Sequence, residues 1–453
     1  MRGGRFASEA PMSHRQPLRS FQVLAHHPAV QALLATAAAR KVPCHLVGGV
    51  LRDRLLGLPS HDLDAVVAGQ GREIAETLAA ALPARFVALG GREFAAFRLV
   101  GRDFVLDLWD RGEMSLAADL ARRDFTVNSF AYGLESGEIA DPFDGLGDLG
   151  RRVLRATTGE SFRGDPLRVL RLPRLTLQLP GFAADPGTLS LARQSAPALV
   201  AVAAERVRDE LERIFDHPEA HRGLALLAAL DLYPGLWLGH PGEPQAAAGS
   251  DSLGVLREIE ALPECIQQLR LLDAAAAEAV SGREARLAAL FAHLPGGPGA
   301  AAAHLAGFRD ASYLTPKSAA RIGLLLGWLA PPRAALPSDD LGRRRFLHAA
   351  HAPDTGWPTT VCSLGARAVA RGEAEEWRRE LRPLVELAKT EGESLFNPPR
   401  LLSGTDLQTM FGVPAGPRIG RALAALRAAQ VDGRVRTREE AVEILTAFFN
   451  RQA

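Results

Sequence analysis

The spacing of hydrophobic and polar positions changes near residue 150. Before this point a helical pattern at 21–40 is followed by short apolar runs and by an amphipathic helical pattern at 71–82. Strands are predicted at 42–50, 62–69, 84–89, 93–100 and 103–109. After residue 150 nearly every segment has helical spacing, interrupted by clusters of Pro and Gly. The pattern predicts a small α/β domain followed by a long helical region.

The breaks in this pattern predict several domains in one chain. A length of 453 residues is enough for about three hydrophobic cores. We expect a disordered extension at first, in which Met12 is an alternative start. The predicted boundaries are 1–20 for the extension, 21–150 for the α/β head, 151–216 for a helical neck, 217–395 for a helical body and 396–453 for a helical tail.

Composition excludes several classes of protein. With 47% hydrophobic and 23% charged residues, the chain is typical of globular proteins. No run reaches the roughly 18 to 20 apolar residues of a membrane span, and the cationic start lacks the apolar core of a signal peptide. Cys44, Cys265 and Cys362 are too far apart in sequence to indicate a disulfide framework or a zinc ribbon. We expect a cytoplasmic protein with no membrane contact and no obligate protein partner.

The net charge of +1 conceals an uneven distribution along the chain. Residues 41–150 are net acidic, whereas 1–40, 151–215 and 400–453 are net basic. Overall neutrality by itself argues against a nucleic-acid partner. The division into segments instead suits an enzyme that holds metal ions in an acidic region and a polyanion on basic ones.

Candidate chemistry is concentrated in two neighbouring motifs of the head. Gly48 and Gly49 precede a short helical segment that contains Arg52, and glycines at a helix start let backbone N–H groups approach phosphate oxygens. Asp62 and Asp64 alternate on a predicted strand, so both carboxylates point to one face. Two like charges so close favour a hard divalent cation such as Mg²⁺ between them.

Together these motifs resemble the nucleotidyltransferase signature of the DNA polymerase β superfamily. Four later blocks resemble those of the class II tRNA nucleotidyltransferase and poly(A) polymerase family. They are RRDFTVN at 122–128, DPLRVLR at 165–171, ERVRDEL at 205–211 and the glycine-rich tail segment at 401–426. The resemblance implies an α/β, polymerase β-like head followed by an elongated all-α neck, body and tail.

The resemblance implies a metal site built from three carboxylates. Asp62 and Asp64 would be ligands of Mg²⁺. The family has a further acidic residue on a later strand, for which Asp107 is the first candidate and Asp110 and Asp103 are alternatives.

It also implies a nucleotide-binding site for ATP and CTP that spans head and neck. The glycine pair and Arg52 would hold the triphosphate, with Asp53 orienting Arg52. Asp165 and Arg168 would read the base edge, because residues three apart on a helix share a face. The remaining residues implied for this site are Arg123, Asp124, Asn128 and Arg171.

The implied activity is template-independent addition of C and/or A to the 3′ end of tRNA, with release of pyrophosphate. Gly164 stands where the family has Glu, and the segment after Asp64 resembles a subgroup that includes CC-adding and A-adding enzymes. CC-only or A-only addition and a poly(A) polymerase therefore remain alternatives. From another class, a non-catalytic RNA-binding descendant is the alternative.

Two further expectations concern the helical region. Many bacterial relatives carry an HD phosphohydrolase site, but Ala292 and His293 stand where its His-Asp pair would be, so we expect that site to be lost. Contacts with tRNA are expected from basic residues of the body and tail. The candidates are Arg343, Arg344, Arg345, Arg418 and Arg421.

Overall fold

The computed structural model describes residues 15–60, 62–89, 95–230, 232, 252–292, 297–310, 312–329, 336–351 and 356–450. Met12 lies outside these ranges. The described chain forms two compact units. One contains the residues up to Val202 together with Ala229–Leu232, and the other contains Ala203–Ala228 and the described residues after Tyr233. The division falls inside the predicted neck.

The first unit is built on a mixed sheet. Its strands are β1 Cys44–Val47, β2 Asp62–Val67, β3 Arg85–Leu89, β4 Ala95–Val100, β5 Val105–Asp110, β6 Ala131–Gly133 and β7 Ile139–Ala140. Their spatial order is β3-β4-β5-β2-β1-β6-β7. The β2–β5 pair is parallel and the other pairs are antiparallel. All five predicted strands are present, and the two short strands β6 and β7 are additional.

Helices and a short parallel pair of strands complete this unit. The helices are α1 Arg15–Ala25, α2 Pro28–Ala39, α3 Gly49–Leu56, α4 Gly71–Ala81, α5 Leu116–Ala121, α6 Gly145–Arg151, α7 Ser161–Gly164, α8 Arg168–Gln178 and α9 Pro186–Ser195. A 3-10 helix covers Thr126–Asn128, and β8 Val153–Leu154 pairs with β9 Ala183–Ala184. The helical pattern at 21–40 is divided between α1 and α2, because Pro28 cannot continue a helix and starts a new one capped by His27.

Alternation along the strands separates a core face from a polar face. Leu63, Leu99, Leu106 and Leu108 are buried on one side of the sheet, in a cluster that also includes residues of α2 and α4. Residues one position away in sequence point to the other side. That side carries the polar residues of β2, β4 and β5, and it is where the candidate site lies.

The second unit is helical in all its described elements. Its helices are α10 Ala204–Asp216, α11 Ala220–Ala229, α12 Ser252–Leu272, α13 Ala274–Glu278, α14 Gly282–Ala292, α15 Gly297–Asp310, α16 Pro316–Leu329, α17 Asp340–Ala350, α18 Trp357–Ala370, α19 Ala374–Phe396, α20 Gly404–Phe411, α21 Pro417–Val431 and α22 Arg438–Asn450. The prediction of an α/β head followed by a helical region is confirmed.

Two cores are evident within the helical unit. Helix α18 is buried over nearly its whole length, and its Arg367 forms a buried ion pair of 3.1 Å with Glu258 of α12. Helices α20 to α22 share a separate hydrophobic cluster that includes Leu407, Leu426 and Leu445. Within the described part of the chain, none of the helices has the length and apolar character needed to cross a lipid bilayer.

Candidate active site

Strand β1 ends at a glycine pair that turns the chain into helix α3. Gly48 has a φ of +78°, in the left-handed region that favours glycine. A Cβ atom on Gly48 would lie 2.6 Å from Oδ2 of Asp64 and 3.3 Å from Nη1 of Arg123. Position 48 therefore requires glycine both for its backbone conformation and for its closeness to these two side chains.

Three predicted carboxylates lie on adjacent strands and on the same face of the sheet. Asp64 of β2 is paired in register with Asp107 of β5, and Asp62 lies two positions earlier on β2. Burial raises the pKa of Asp64 to about 6; Arg123 opposes this shift, whereas the negative charges of Asp107 and Asp62 add to it. The structure thus brings the three acidic residues together beside the glycine turn.

The two alternatives for the third carboxylate have other surroundings. Asp110 accepts hydrogen bonds from the backbone N–H groups of Gly69 at 2.8 Å, Gly71 at 2.9 Å and Gly112 at 2.8 Å. It therefore holds the loop that leads into α4. Asp103 is exposed in the turn before β5. Of the three candidates, Asp107 is the one paired with Asp64.

Asp107 is engaged by an arginine that the sequence analysis missed. Arg98 of β4 lies directly opposite Asp107 and donates hydrogen bonds from Nε to Oδ1 and from Nη2 to Oδ2, both at 2.7 Å. The hydrogen bond to Asp107, opposed by partial burial, raises the pKa of Arg98. Strand alternation puts Arg98 on the polar face of β4, because its neighbours Phe97 and Leu99 are apolar and face the core. The sequence could have identified Arg98 by this pattern.

Arg52 lies in a buried network at the start of α3. Its Nε donates to Oδ1 of Asp53 at 2.8 Å, and its Nη1 donates to Oδ1 of Asn128 at 2.5 Å. The Asn128 amide nitrogen in turn donates to Oδ1 of Asp124 at 2.9 Å. The glycine turn and the 122–128 block are therefore connected through side chains, and Asp53 is the acidic partner of Arg52.

Asp124 is buried and bonded to protein groups on both oxygens. Its Oδ1 also accepts the Phe125 backbone N–H at 2.8 Å, and its Oδ2 lies 3.0 Å from Nη2 of Arg171 on helix α8. Burial alone would raise the pKa of Asp124, but Arg171, the Asn128 amide and the nearby Arg168 outweigh it and lower the pKa to about 2. The carboxylate is therefore charged and links the head to α8.

Asp165 and Arg168 of the neck do not share a helix face, in contrast to the prediction. Asp165 has extended backbone angles (φ −151°, ψ 99°) and precedes helix α8, which begins at Arg168. Two backbone carbonyls hold Arg168: Nη1 donates to the oxygen of Ser161 at 2.7 Å and Nη2 to that of Arg122 at 2.6 Å. The expectation of two side chains on one helix face was wrong because the helix starts one turn later.

A second buried carboxylate supports the 122–128 block. Asp148 is fully buried, accepts a hydrogen bond from Oγ1 of Thr126 at 2.7 Å and forms ion pairs with Arg151 at 2.8 Å and Arg155 at 3.0 Å. Burial opposes but does not overcome these contacts, so the pKa of Asp148 is lowered. The sequence analysis did not single out this residue.

The arginines expected to contact tRNA lie in the helical unit, and three of them have acidic partners there. Arg343 pairs with Glu380 at 2.8 Å, Arg344 with Glu391 at 2.6 Å, and Arg345 with Asp432 at 2.8 Å.

The other two arginines expected to contact tRNA, Arg418 and Arg421, have different surroundings. Arg418 lies over the ring of Phe449 at 5.4 Å from its centroid, and Arg421 is exposed on α21. Within the part of the chain that the structure describes, neither Arg418 nor Arg421 forms an ion pair, in contrast to Arg343, Arg344 and Arg345.

The segment compared with the HD site ends helix α14. Ala292 is the last residue of that helix, and His293 lies outside the described residues. Of the histidines at 348–351, His348 is 2.9 Å from the Leu395 carbonyl oxygen and His351 stacks on Phe396.

The head carboxylates suit a divalent cation by residue type and charge. Asp62, Asp64 and Asp107 are oxygen donors, and their mutual repulsion is what a hard cation would relieve. Among the residues that the structure describes, no three acidic, His or Cys side chains already form a metal-binding group. Both oxygens of Asp107 are bonded to Arg98.

Comparisons with known proteins bear on the family and the fold. A family model described as the poly A polymerase head domain matches residues 44–155. A second, described as a probable RNA and SrmB-binding site of polymerase A, matches residues 181–239.

Two relatives match over most of their length. A CC-adding tRNA nucleotidyltransferase of Geobacter sulfurreducens is 33% identical over 88% of this chain and 90% of its own. An A-adding tRNA nucleotidyltransferase of Deinococcus radiodurans is 32% identical over 87% of this chain and 93% of its own.

Solved structures share the fold. The Bacillus stearothermophilus CCA-adding enzyme in complex with CTP is 26% identical, with a TM-score of 0.65 over 94% of this chain and 99% of that one. The Thermotoga maritima CCA-adding enzyme complexed with tRNA is 22% identical, with a TM-score of 0.64 over 95% and 98%. At 22% identity, the similarity to the Thermotoga maritima enzyme concerns the fold alone.

Proposed function

The chain belongs to the class II tRNA nucleotidyltransferase and poly(A) polymerase family, and from this premise we propose that it adds C and/or A nucleotides to the 3′ end of tRNA. CTP and ATP are the substrates and pyrophosphate is released. The observation that carries the proposal is the register of Asp64 against Asp107, with Asp62 on the same face and the Gly48 turn in contact with Asp64.

Enzymes of this family use a divalent metal, and we propose that Asp62, Asp64 and Asp107 hold Mg²⁺ here. Bound at these carboxylates, the ion would lower the pKa of the attacking 3′-hydroxyl and neutralise charge on the leaving pyrophosphate. Burial is the main cause of the raised pKa of Asp64, and the neighbouring charges of Asp107 and Asp62 add to it; a cation bound here would offset both effects.

The glycine turn and two arginines would position the triphosphate. Gly48 and Gly49 leave the backbone N–H groups at the start of α3 open to phosphate oxygens. Arg123 lies beside Gly48 and Asp64, so its positive charge is available there. Arg52 is buried and bonded to Asn128, which supports a role in fixing the turn as much as in touching phosphate.

We propose that Asp165 and Arg168 select the incoming base through hydrogen bonds to its edge. Arg168 is fixed by the Ser161 and Arg122 carbonyls, and a fixed guanidinium presents its remaining donors in one orientation. Gly164 lacks the carboxylate found there in the family, and a Cβ at this position would meet no atom within 4 Å. Restoring Glu at this position is therefore sterically possible.

Which nucleotides are added is the open part of the proposal. The two relatives matched over 90% and 93% of their own length are named for CC addition and A addition, which supports a partial activity as the alternative. A relative from Limosilactobacillus fermentum named as a CCA-adding enzyme is matched over 53% of its length. Poly(A) addition is the other alternative within the family.

The test is an assay with tRNA transcripts that end before C74, after C74 or after C75, each with CTP alone, ATP alone or both. Complete CCA addition requires incorporation at all three ends with both nucleotides. With both nucleotides present, addition that stops after two C residues, with no A added after C75, would indicate a CC-adding enzyme. Incorporation of A after C75 with no incorporation from CTP at any end would indicate an A-adding one. Long A-tails on unstructured RNA, without discrete addition to tRNA, would overturn the proposal.

The non-catalytic alternative is tested in cells. If the chain only binds RNA, Asp62→Ala and Asp64→Ala will complement loss of the gene as well as the unaltered protein does. We expect no complementation. Asp103→Ala serves as the matched control, because Asp103 is exposed and lies in the turn before β5.

The remaining proposals concern location and contact with tRNA. Cys44, Cys265 and Cys362 are buried free thiols, which supports the cytoplasm as the working compartment. We propose that tRNA contacts the tail through Arg418 and Arg421 at the start of α21. For Arg343, Arg344 and Arg345 the ion pairs favour a role in holding helices together over contact with RNA.

A further inference from the structure

Arg98 occupies an unusual place among the proposed metal ligands. It lies on β4, directly opposite Asp107, which is itself directly opposite Asp64. The three residues form one row across three strands. The Arg98 side chain is 46% exposed, so its fork reaches the carboxylate from the solvent side of the sheet.

The contact uses both oxygens of Asp107. Nε and Nη2 of Arg98 each lie 2.7 Å from one carboxylate oxygen, the bidentate geometry that is strongest for this pair. A divalent cation shared by Asp64 and Asp107 would have to displace one of these hydrogen bonds or bind an oxygen already polarised by a guanidinium. It would also be repelled by the positive charge of Arg98.

The influence of Arg98 extends beyond Asp107. The negative charges of Asp107, Asp62 and Asp64 all help to raise the pKa of Arg98, after the hydrogen bond to Asp107 and against partial burial. Arg98 is therefore the counter-charge of Asp107, whereas Arg123 has this role beside Asp64.

We propose that Arg98 is a positioning residue that holds Asp107 in place and keeps the affinity of the carboxylates for a divalent cation low when no nucleotide is bound. This inference rests on the proposed function of Asp62, Asp64 and Asp107. The oxygens of a bound triphosphate would add donors that make up for the competition by Arg98. Entry of the cation is thereby coupled to entry of the nucleotide.

The test measures binding of Mn²⁺ to the full chain without nucleotide or tRNA, by electron paramagnetic resonance of free Mn²⁺. Arg98→Met removes the charge and the fork while keeping a long side chain. We expect it to bind Mn²⁺ roughly tenfold more tightly than the unaltered protein, because a repelling charge is lost. Unchanged or weaker binding would overturn the proposal.

Two further variants keep the result interpretable. Arg85→Met removes one charge from the same face of β3, opposite Val100 instead of Asp107, and should leave the Mn²⁺ affinity unchanged. Arg98→Lys keeps the charge without the planar fork and should give an intermediate affinity. If Arg85→Met tightens binding as much as Arg98→Met, the effect is one of general charge and the proposal fails.

A last variant separates this inference from the proposed site. Asp107→Asn should weaken Mn²⁺ binding if Asp107 is a ligand. No effect of Asp107→Asn would remove Asp107 from the metal site, and with it the basis of the inference. A loss in Asp107→Asn with no gain in Arg98→Met would leave the site standing and overturn the role of Arg98 alone. Circular dichroism checks that each variant is folded.

Discussion

Arg171 forms an ion pair with Asp124, with 3.0 Å between Nη2 and Oδ2. Asp124 is buried in the head, and the half-buried Arg171 lies at the end of the first turn of α8. Through Asn128 and Arg52 the same network reaches the glycine turn. The glycine turn proposed to bind the phosphates and helix α8, which begins at Arg168, are thus connected by a short series of polar contacts.

We predict that Arg171→Met lowers the free energy of unfolding by about 2 kcal/mol, because the buried, charged Asp124 loses its ion-pair partner and keeps only the hydrogen bonds from Asn128 and Phe125. Urea denaturation at pH 7 measures this. Arg163→Met is the matched control: it breaks an exposed pair with Glu160 and should cost no more than about 0.5 kcal/mol. In an Asp124→Asn background the cost of Arg171→Met should shrink, and equal costs in both backgrounds would contradict the coupling.

A second prediction concerns Gly48. Gly48→Ala should lower stability by about 2 kcal/mol and nucleotide addition by roughly a hundredfold, because the new Cβ meets Asp64 and the backbone conformation is strained. Gly57, at the other end of α3, has a similar φ of +68° with no atom near its Cβ position. Gly57→Ala should therefore cost about 1 kcal/mol and leave activity intact. Equal losses of activity would show that backbone strain alone is responsible.

A third prediction follows from the pKa of Asp64. The pKa of Asp64 in the folded protein, about 6, lies above the ordinary aspartate value of 3.8, so the folded protein binds an extra proton between these pH values. Ionisation of Asp64 thus destabilises the fold progressively as pH rises above about 4, and the full cost is present above pH 6. Without metal, Asp64→Asn should be more stable than the unaltered protein by about 1–2 kcal/mol at pH 8.

This difference should approach zero near pH 4, where Asp64 is protonated in the folded state. Thermal unfolding in EDTA at a series of pH values measures it. Asp103→Asn, at an exposed position, should show no comparable gain at pH 8. A loss of stability in Asp64→Asn at pH 8 would mean that the carboxylate is stabilised by its surroundings. Nucleotide addition should be abolished in Asp64→Asn whatever its stability.

A fourth prediction concerns the tail. Arg421→Glu reverses an exposed charge on α21 and should weaken tRNA binding about fivefold, with no change in which nucleotide is added. Filter binding at two salt concentrations measures the affinity and its salt dependence. The control is the double exchange Arg72→Glu with Glu76→Arg, which keeps an exposed ion pair on α4 of the head and should leave affinity unchanged. An unchanged affinity for Arg421→Glu would remove this helix from the tRNA-binding surface.

Local pattern was enough to predict most of the head. Alternation in 62–69 and 103–109 identified strands whose register then places Asp64 beside Asp107. The parallel pairing of β2 with β5 joins segments that are far apart in sequence, so no local pattern predicts it. The same holds for Arg98, whose importance depends on a partner in the neighbouring strand.

Other outcomes depended on where helices begin. Asp165 and Arg168 were expected on one helix face, but α8 starts at Arg168, and spacing alone does not locate a helix start. The triple arginine at 343–345 has the composition of an RNA-binding patch. Besides the nearby Asp340, its acidic partners are Glu380, Glu391 and Asp432, which are 37 to 87 residues away in sequence, and only the folded chain brings them close.

The two acceptors of Arg168 are main-chain oxygens, from Ser161 and Arg122. A substitution at 122 or 161 changes a side chain but leaves its carbonyl in place. The anchor of this arginine therefore tolerates sequence drift at both positions, provided that the backbone path is kept. A side-chain carboxylate that held this arginine could be lost through a single substitution, whereas these backbone acceptors remain as long as the fold is kept.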